Sequence, residues 1–142
     1  MKKQVLSIVS ILSLLLTLAI VGSANSSGSF KVNIPFDFTV GKTQLKAGSY
    51  IVDSNRVQDV PQIINEESRK SIFVSTFGGK SSSKPSRAKL VFHRYEGKYF
   101  LTQIWNEGST VAMQLPESSA ERELKHLARN TAQPELVTVL AP

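Results

Sequence analysis

The chain has 142 residues, with 17 Lys and Arg against 11 Asp and Glu, a formal net charge of +6, 41% hydrophobic residues and no cysteine. This is the length and composition of one globular domain, which excludes two large domains and any disulfide framework. The positive balance is mild and selects no partner by itself.

The first 24 residues have the tripartite plan of a secretory signal. Lys2 and Lys3 precede an apolar run over residues 5–21, and small residues follow up to Ala24. The run is about 17 residues long and contains serines and a threonine, whereas a spanning helix needs about 20 apolar residues. We therefore predict cleavage after Ala24, a periplasmic or extracellular product and no stable membrane span in it. Export also argues against nucleic acid as a partner.

A short linker over residues 25–29 leads to the predicted β domain, residues 30–115. Between Phe30 and Val40 every even position is apolar, and the odd positions are polar except for Pro35. A period of two places the apolar side chains on one face of a strand. Pro35 has no N–H to donate, so the strand either lies at a sheet edge or bends there from one sheet to another.

Gly41 and Lys42 predict a turn, and a strand follows over residues 49–53. Residues 62–65 and 71–77 read as a hairpin around a charged turn. Residues 78–86 are rich in Gly, Ser and Lys and hold no side chain able to pack, so we expect a mobile surface loop.

Residues 88–106 form a second predicted hairpin around Glu96-Gly97. A two-residue loop would place His93 opposite Phe100, and a three-residue loop with a glycine bulge would place Phe92 there. The three-residue loop is favoured, because Glu tolerates left-handed dihedral angles poorly. One more strand is predicted over residues 111–115.

Residues 116–130 are predicted to contain a helix. Ser118 and Glu121 form a capping-box pattern, and an apolar stripe of Ala120, Leu124, Leu127 and Ala128 should dock on the β core or on a partner. The tail, residues 131–142, contains a strand-like segment at 135–140. We predict that this segment adds to a sheet edge, such as the one bounded by the Pro35 strand, either in its own chain or by exchange in a homo-oligomer.

Short strands at regular spacing followed by one helix indicate a mainly β fold. We expect an antiparallel β-sandwich or small β-barrel of about seven strands with one C-terminal α-helix.

Several segments resemble a family of short exported bacterial proteins that is frequent among acidobacteria. They are Asn-Ile-Pro-Phe-Asp-Phe-Thr-Val-Gly at 33–41, Leu-x-Ala-Gly-x-Tyr-x-Val at 45–52, Lys-Leu-Val-Phe-His-Arg-Tyr at 89–95, and the Leu115-Pro116 step into a helix rich in Arg and Glu. The resemblance covers most of the mature chain, although Lys46 stands where the family more often has Pro. No activity is established for that family, so the resemblance transfers no functional residue.

The sharpest charge asymmetry lies within residues 80–98, which contain six basic residues and one acidic residue, Glu96. The basic residues are Lys80, Lys84, Arg87, Lys89, Arg94 and Lys98. They predict a patch that binds an anionic envelope polymer or lipid headgroups. The alternative is an ordinary solvated loop and hairpin. Tyr95, Tyr99 and Trp105 lie nearby and could stack on sugar rings.

Catalytic patterns are weak. Gly79-Lys80-Ser81 lacks the earlier glycine and the following helix of a phosphate-binding loop, and Ser81-x-x-Lys84 lies in a loop rather than at a helix start. His93 and His126 have no ligand-spaced neighbours. We expect no cofactor, no metal and no enzyme activity, and predict a binding or structural module of the envelope or extracellular space. The alternatives are a small-barrel carrier of an apolar ligand and a small hydrolase using His93.

Overall fold

The computed structural model describes residues 28–55, 60–127 and 133–142, and within them it places eleven β-strands and one helix. The strands are β1 (Ser29–Ile34), β2 (Phe38–Val40), β3 (Thr43–Leu45), β4 (Gly48–Asp53), β5 (Gln62–Asn65), β6 (Ser71–Phe73), β7 (Phe77–Lys80), β8 (Lys89–Tyr95), β9 (Lys98–Trp105), β10 (Val111–Gln114) and β11 (Glu135–Leu140), and the helix is α1 (Ser119–Leu127). The signal sequence, the Ala24 cleavage site and the expected end of the helix lie outside the described residues.

The strands form two sheets in a sandwich-like arrangement. The first sheet has the order β1-β4-β5-β6, and the second has the order β11-β8-β9-β10-β7, with β2 parallel to the start of β9 and β3 beyond it. The described strands do not close into a barrel. The mainly β fold with one helix near the C-terminus is confirmed. More strands are present than the seven expected, because several have only three residues.

The chain passes from one sheet to the other at Pro35. Before it, β1 is the edge strand of the first sheet, and after it β2 pairs with β9 of the second. The bend predicted at this proline is therefore confirmed. Phe36 stacks on Tyr99 with ring centroids 3.8 Å apart. The Asp37 carboxylate accepts hydrogen bonds from Lys46 Nζ and the Ala47 backbone N–H, which hold the pKa of Asp37 below its usual value.

The alternating apolar residues of β1 and β2 face the core, as their period predicts. They pack with side chains of both sheets, among them Tyr50, Ile63, Leu90, Phe92 and Ile104. A smaller cluster on the outer face of the second sheet joins Val91, Trp105 and Ala112. The second sheet therefore has apolar contacts on both faces.

The hairpin between β8 and β9 has a two-residue loop. Tyr95 pairs with Lys98 and His93 with Phe100, while Glu96 and Gly97 have φ angles of 46° and 83°. The favoured three-residue loop is wrong. The pairing of two long strands outweighs the left-handed strain at Glu96, which is of order 1 kcal/mol for a residue other than glycine.

Part of the expected loop at 78–86 is a strand. Gly78, Gly79 and Lys80 belong to β7 and pair with β10. A Cβ at Gly79 would meet the Gln114 side chain, which would have to move away. Residues 81–86 form the loop, and it is tied by two backbone hydrogen bonds, from Ser81 to Thr110 and from Gly108 to Pro85.

The helix α1 and the strand β11 both contact the second sheet, α1 through its side chains and β11 through backbone pairing. The capping interaction is present, because Glu121 N–H donates to Ser118 Oγ at 3.0 Å. In the described part of the apolar stripe, Ala120 is exposed, Leu124 is half-buried and Leu127 is 77% exposed. The buried residue of the helix is instead Glu121. The strand β11 pairs with β8 in its own chain, which confirms edge addition and corrects the suggested edge at the Pro35 strand.

Candidate functional site

The six basic residues of the predicted patch lie at two ends of the second sheet. Lys89 begins β8 and Arg94 lies five residues further along it, a separation of about 17 Å at 3.4 Å per residue. Lys80 pairs with Val111 at the same end as Lys89. Lys84 and Arg87 lie in the loop between β7 and β8. We call this end, with Lys80, Lys84, Arg87 and Lys89, the basic end.

At the opposite end Arg94 has an acidic partner and Lys98 has acidic neighbours. Arg94 Nη1 donates to Glu135 Oε2 at 2.9 Å, and its guanidinium lies 5.7 Å from the centroid of the Tyr99 ring. Lys98 lines a cleft together with the acidic residues Asp37 and Glu123. These two cations are therefore poor candidates for the same anion site as the other four.

A cleft of about 660 Å³ opens at the basic end. Its walls come from the start of β1, the residues before β8, the turn after β9 and the residues after β11. The lining includes Arg87, Ser86, Ser29, Asn106 and Glu107. Within the described part of the chain, Asn106 Oδ1 is buried without a hydrogen-bond partner. The cleft thus combines one cation, Arg87, and one carboxylate, Glu107, with hydroxyl and amide groups.

The side chain of Lys89 packs over the Trp105 ring at the basic end. The ammonium of Lys89 lies 5.3 Å from the Trp105 ring centroid, and Trp105 Nε1 donates to Gln103 Oε1 at 2.9 Å. Trp105 is only 9% exposed, so it supports the lysine rather than offering an open stacking face. It is the chain's single tryptophan and so reports on this end by fluorescence.

A second polar site joins α1 to the outer face of the second sheet. His93 Nδ1 lies 2.6 Å from Glu121 Oε1, with the Glu121 side chain 4% exposed and His93 31% exposed. An ionised Glu121 requires the proton on Nδ1, which makes Nε2 the basic nitrogen of the neutral ring. Sequence spacing could not find this pair, because 28 residues separate its members.

Tyr95 completes this group. Its hydroxyl lies 3.5 Å from Glu121 Oε1, and burial together with the nearby Glu121 charge raises the pKa of Tyr95 to about 12. His93 and Tyr95 are two residues apart on β8 and therefore share a face. That shared face was the available signal for a common polar partner on the helix.

Among the described residues, no serine lines the cleft beside His93. This cleft of about 220 Å³ is lined by Thr102, Gln103, Gln114 and Lys125 among others. The Thr102 hydroxyl donates to the Val91 carbonyl at 3.0 Å. In the part of the chain that the structure describes, no three His, Asp or Glu side chains are grouped to hold a metal ion.

The exposed part of the helix stripe borders another cleft. It has a volume of about 480 Å³ and is lined by Ala120, Leu124 and Leu127 on one side and by Phe38 and Phe100 on the other. The cleft lies between the helix and the β2–β9 edge, outside the packed core. A barrel carrier would instead need its cavity within a closed barrel.

Comparison with protein-family models, curated proteins and solved structures returns no match. Among the described residues, the helix is too short and too polar to cross a membrane.

Proposed function

We propose that the chain is an exported, non-catalytic β module that binds an anionic polysaccharide of the cell envelope or extracellular space at the basic end. The observation that carries the proposal is the cleft of about 660 Å³ with Arg87 in its wall and Lys89 two residues further along the chain, at the start of β8. Arg87 suits the carboxylate or sulfate of an acidic sugar, since its guanidinium donates in a planar fork.

The polar lining favours a sugar over a lipid headgroup. Ser29 and Ser86 can donate to or accept from ring hydroxyls, and Asn106 adds an amide to the lining. Lys84 and Lys80 add positive charge along the approach, which raises the encounter rate with a polyanion.

The test compares two triple variants of the exported protein with the same change in net charge. Lys84→Glu/Arg87→Glu/Lys89→Glu reverses the basic end, and Lys42→Glu/Lys70→Glu/Lys98→Glu reverses exposed lysines elsewhere. Binding to polygalacturonate is followed by Trp105 fluorescence at low and high salt. We expect the first variant to bind about tenfold more weakly or worse, and the control to stay within about threefold of wild type.

Vesicles containing phosphatidylglycerol form the second arm of the test. Equal or tighter binding to vesicles would assign the basic end to lipid headgroups and contradict the polysaccharide. An equal loss of polygalacturonate binding in both triple variants would show that only net charge matters and would contradict a site at the basic end.

A second candidate, a small hydrolase that uses His93, is favoured by the 2.6 Å contact between His93 and Glu121. A hydrolase would also need a nucleophile within reach of Nε2. The same contact is explained by anchoring of the helix, so we rank this candidate second. Ester hydrolysis by the wild type that is lost in a folded His93→Gln variant would favour the hydrolase over the binding module.

A further inference from the structure

The outer edge of β11 has backbone groups directed away from its own sheet. Ala141, directly after β11, donates its N–H to the Ala88 carbonyl at 2.9 Å, so the two form a hydrogen-bonded pair of the ladder with β8. Hydrogen-bonded and non-hydrogen-bonded pairs alternate in an antiparallel ladder. Leu136, Thr138 and Leu140 therefore direct their N–H and C=O groups outward, and no other described strand pairs with this side of β11.

The central part of this edge lacks the features that usually prevent strands from pairing. Between Leu136 and Leu140 there is no charged residue, proline or bulge. Leu136 is 66% exposed and Leu140 51% exposed, on the outer face of the sheet. The one acidic residue of the strand, Glu135, is paired with Arg94.

The sequence of the edge reads the same in both directions. Leu-Val-Thr-Val-Leu is centred on Thr138, and the prolines at positions 134 and 142 lie at equal distances from it. If two antiparallel copies meet around a two-fold axis at Thr138, Leu136 faces Leu140 of the second copy and Thr138 faces its own counterpart. The prolines face each other beyond the ends, where neither has an N–H to donate.

The alternation of outward and inward backbone groups along β11 agrees with a two-fold axis at Thr138. Leu136, Thr138 and Leu140 are the residues whose N–H and C=O point outward, and in this register they meet only one another. Three residue pairs exchange two hydrogen bonds each, which gives six across the axis. Shifting the register by one residue would place outward groups opposite inward ones, and shifting it by two would place a proline, which has no N–H, opposite an outward leucine. The chain therefore favours the register centred on Thr138.

We propose that β11 is the interface of a homodimer, in which two second sheets join edge to edge through Thr138 into one continuous sheet. The partner is a second copy of this chain, and each tail stays on its own β8. One six-residue strand is a small interface compared with the roughly 1,600 Å² of stable complexes, so we expect a dissociation constant in the micromolar range or weaker.

Sedimentation velocity of the exported protein, from about 5 to about 500 µM, tests the proposal. Wild type should shift from monomer to dimer. Thr138→Lys places two like charges opposite each other at the axis and should weaken the dimer by about tenfold or more. Thr110→Lys adds the same charge in an exposed turn and should dimerise like wild type. A wild type that stays monomeric throughout, or a Thr138→Lys variant that dimerises equally well, would overturn the proposal.

A crosslinking variant tests the geometry without relying on Thr138→Lys to fold. Paired Cα atoms at the axis would be about 5.5 Å apart, within disulfide range. Because the chain has no cysteine, oxidised Thr138→Cys should give one covalent dimer, and Thr110→Cys should not. An oligomer that forms without crosslinking through Thr138→Cys would indicate exchange of tails and reject edge pairing.

Discussion

The contact between His93 and Glu121 predicts an unusual order of stability among three variants. Glu121 is the buried residue of α1, and His93 Nδ1 is its closest polar partner at 2.6 Å. Removing Glu121 leaves a histidine that is 31% exposed and can reach water. Removing His93 leaves a carboxylate that is 4% exposed, with only the 3.5 Å contact from Tyr95.

The loss of unfolding free energy in each variant depends on which polar group is left without its partner. Glu121→Ala loses a hydrogen bond to a charged group and should lower the free energy of unfolding by about 2 kcal/mol. His93→Ala leaves a buried charge without its main partner and should cost about 3 kcal/mol or more. The double variant removes the charge together with its partner, so it should cost less than His93→Ala alone.

Urea unfolding followed by Trp105 fluorescence measures all three variants. Trp105 is suited to this, because it is the single tryptophan and lies at the basic end, away from the pair. Equal urea dependence of the free energy across the series would show that the unfolded states are comparable. Additive costs, or a Glu121→Ala cost above that of His93→Ala, would refute the reasoning.

Three further predictions concern stability. Because the pKa of Tyr95 is raised to about 12, the folded state resists its ionisation, and stability should be full below about pH 10 and fall by about 2 kcal/mol as pH rises to 12. Tyr95→Phe should lack this component in alkaline unfolding curves. Glu96→Asn should raise the unfolding free energy by about 0.5 kcal/mol, since asparagine suits the positive φ of 46°, and a thermal shift downward would contradict this. Phe38→Ala should cost about 3 to 5 kcal/mol in urea, because Phe38 is 1% exposed and packs against Tyr50 and Phe92; a cost below about 1 kcal/mol would place Phe38 outside the core.

The fold was predictable where a single pattern dominates. The two-residue period from Phe30 to Val40 reports burial directly, because only one face of that strand can enter the core. Pro35 predicted the bend between the two sheets, because its missing N–H is a property of that residue alone. Local preference failed at Glu96, where pairing between β8 and β9 overrides an unfavourable φ, and at Gly78 and Gly79, where pairing with β10 makes a strand of residues with little strand propensity.

The candidate site was less accessible to sequence reasoning. Six cations that are close in sequence lie at two ends of a strand, because an extended chain separates residues by over 3 Å each. Glu121 was assigned to the cap of its own helix, whereas its side chain contacts His93 on a distant strand. Neither the cleft around Arg87 nor this contact has a local signal, since both depend on segments brought together only by the fold.

The position of β11 has a consequence for the order of folding. Thirty-nine residues separate β8 from β11 along the chain, so the ribosome synthesises β8 before the strand that covers its edge. During that interval β8 exposes an edge that carries Val91 and Phe92, which are buried in the finished sheet. Long-range pairing of this kind is slow and leaves nascent chains open to aggregation. Pairing of β11 with β8 therefore becomes the event that completes the second sheet, and a chain that has not yet formed it exposes the edge of β8 to other chains.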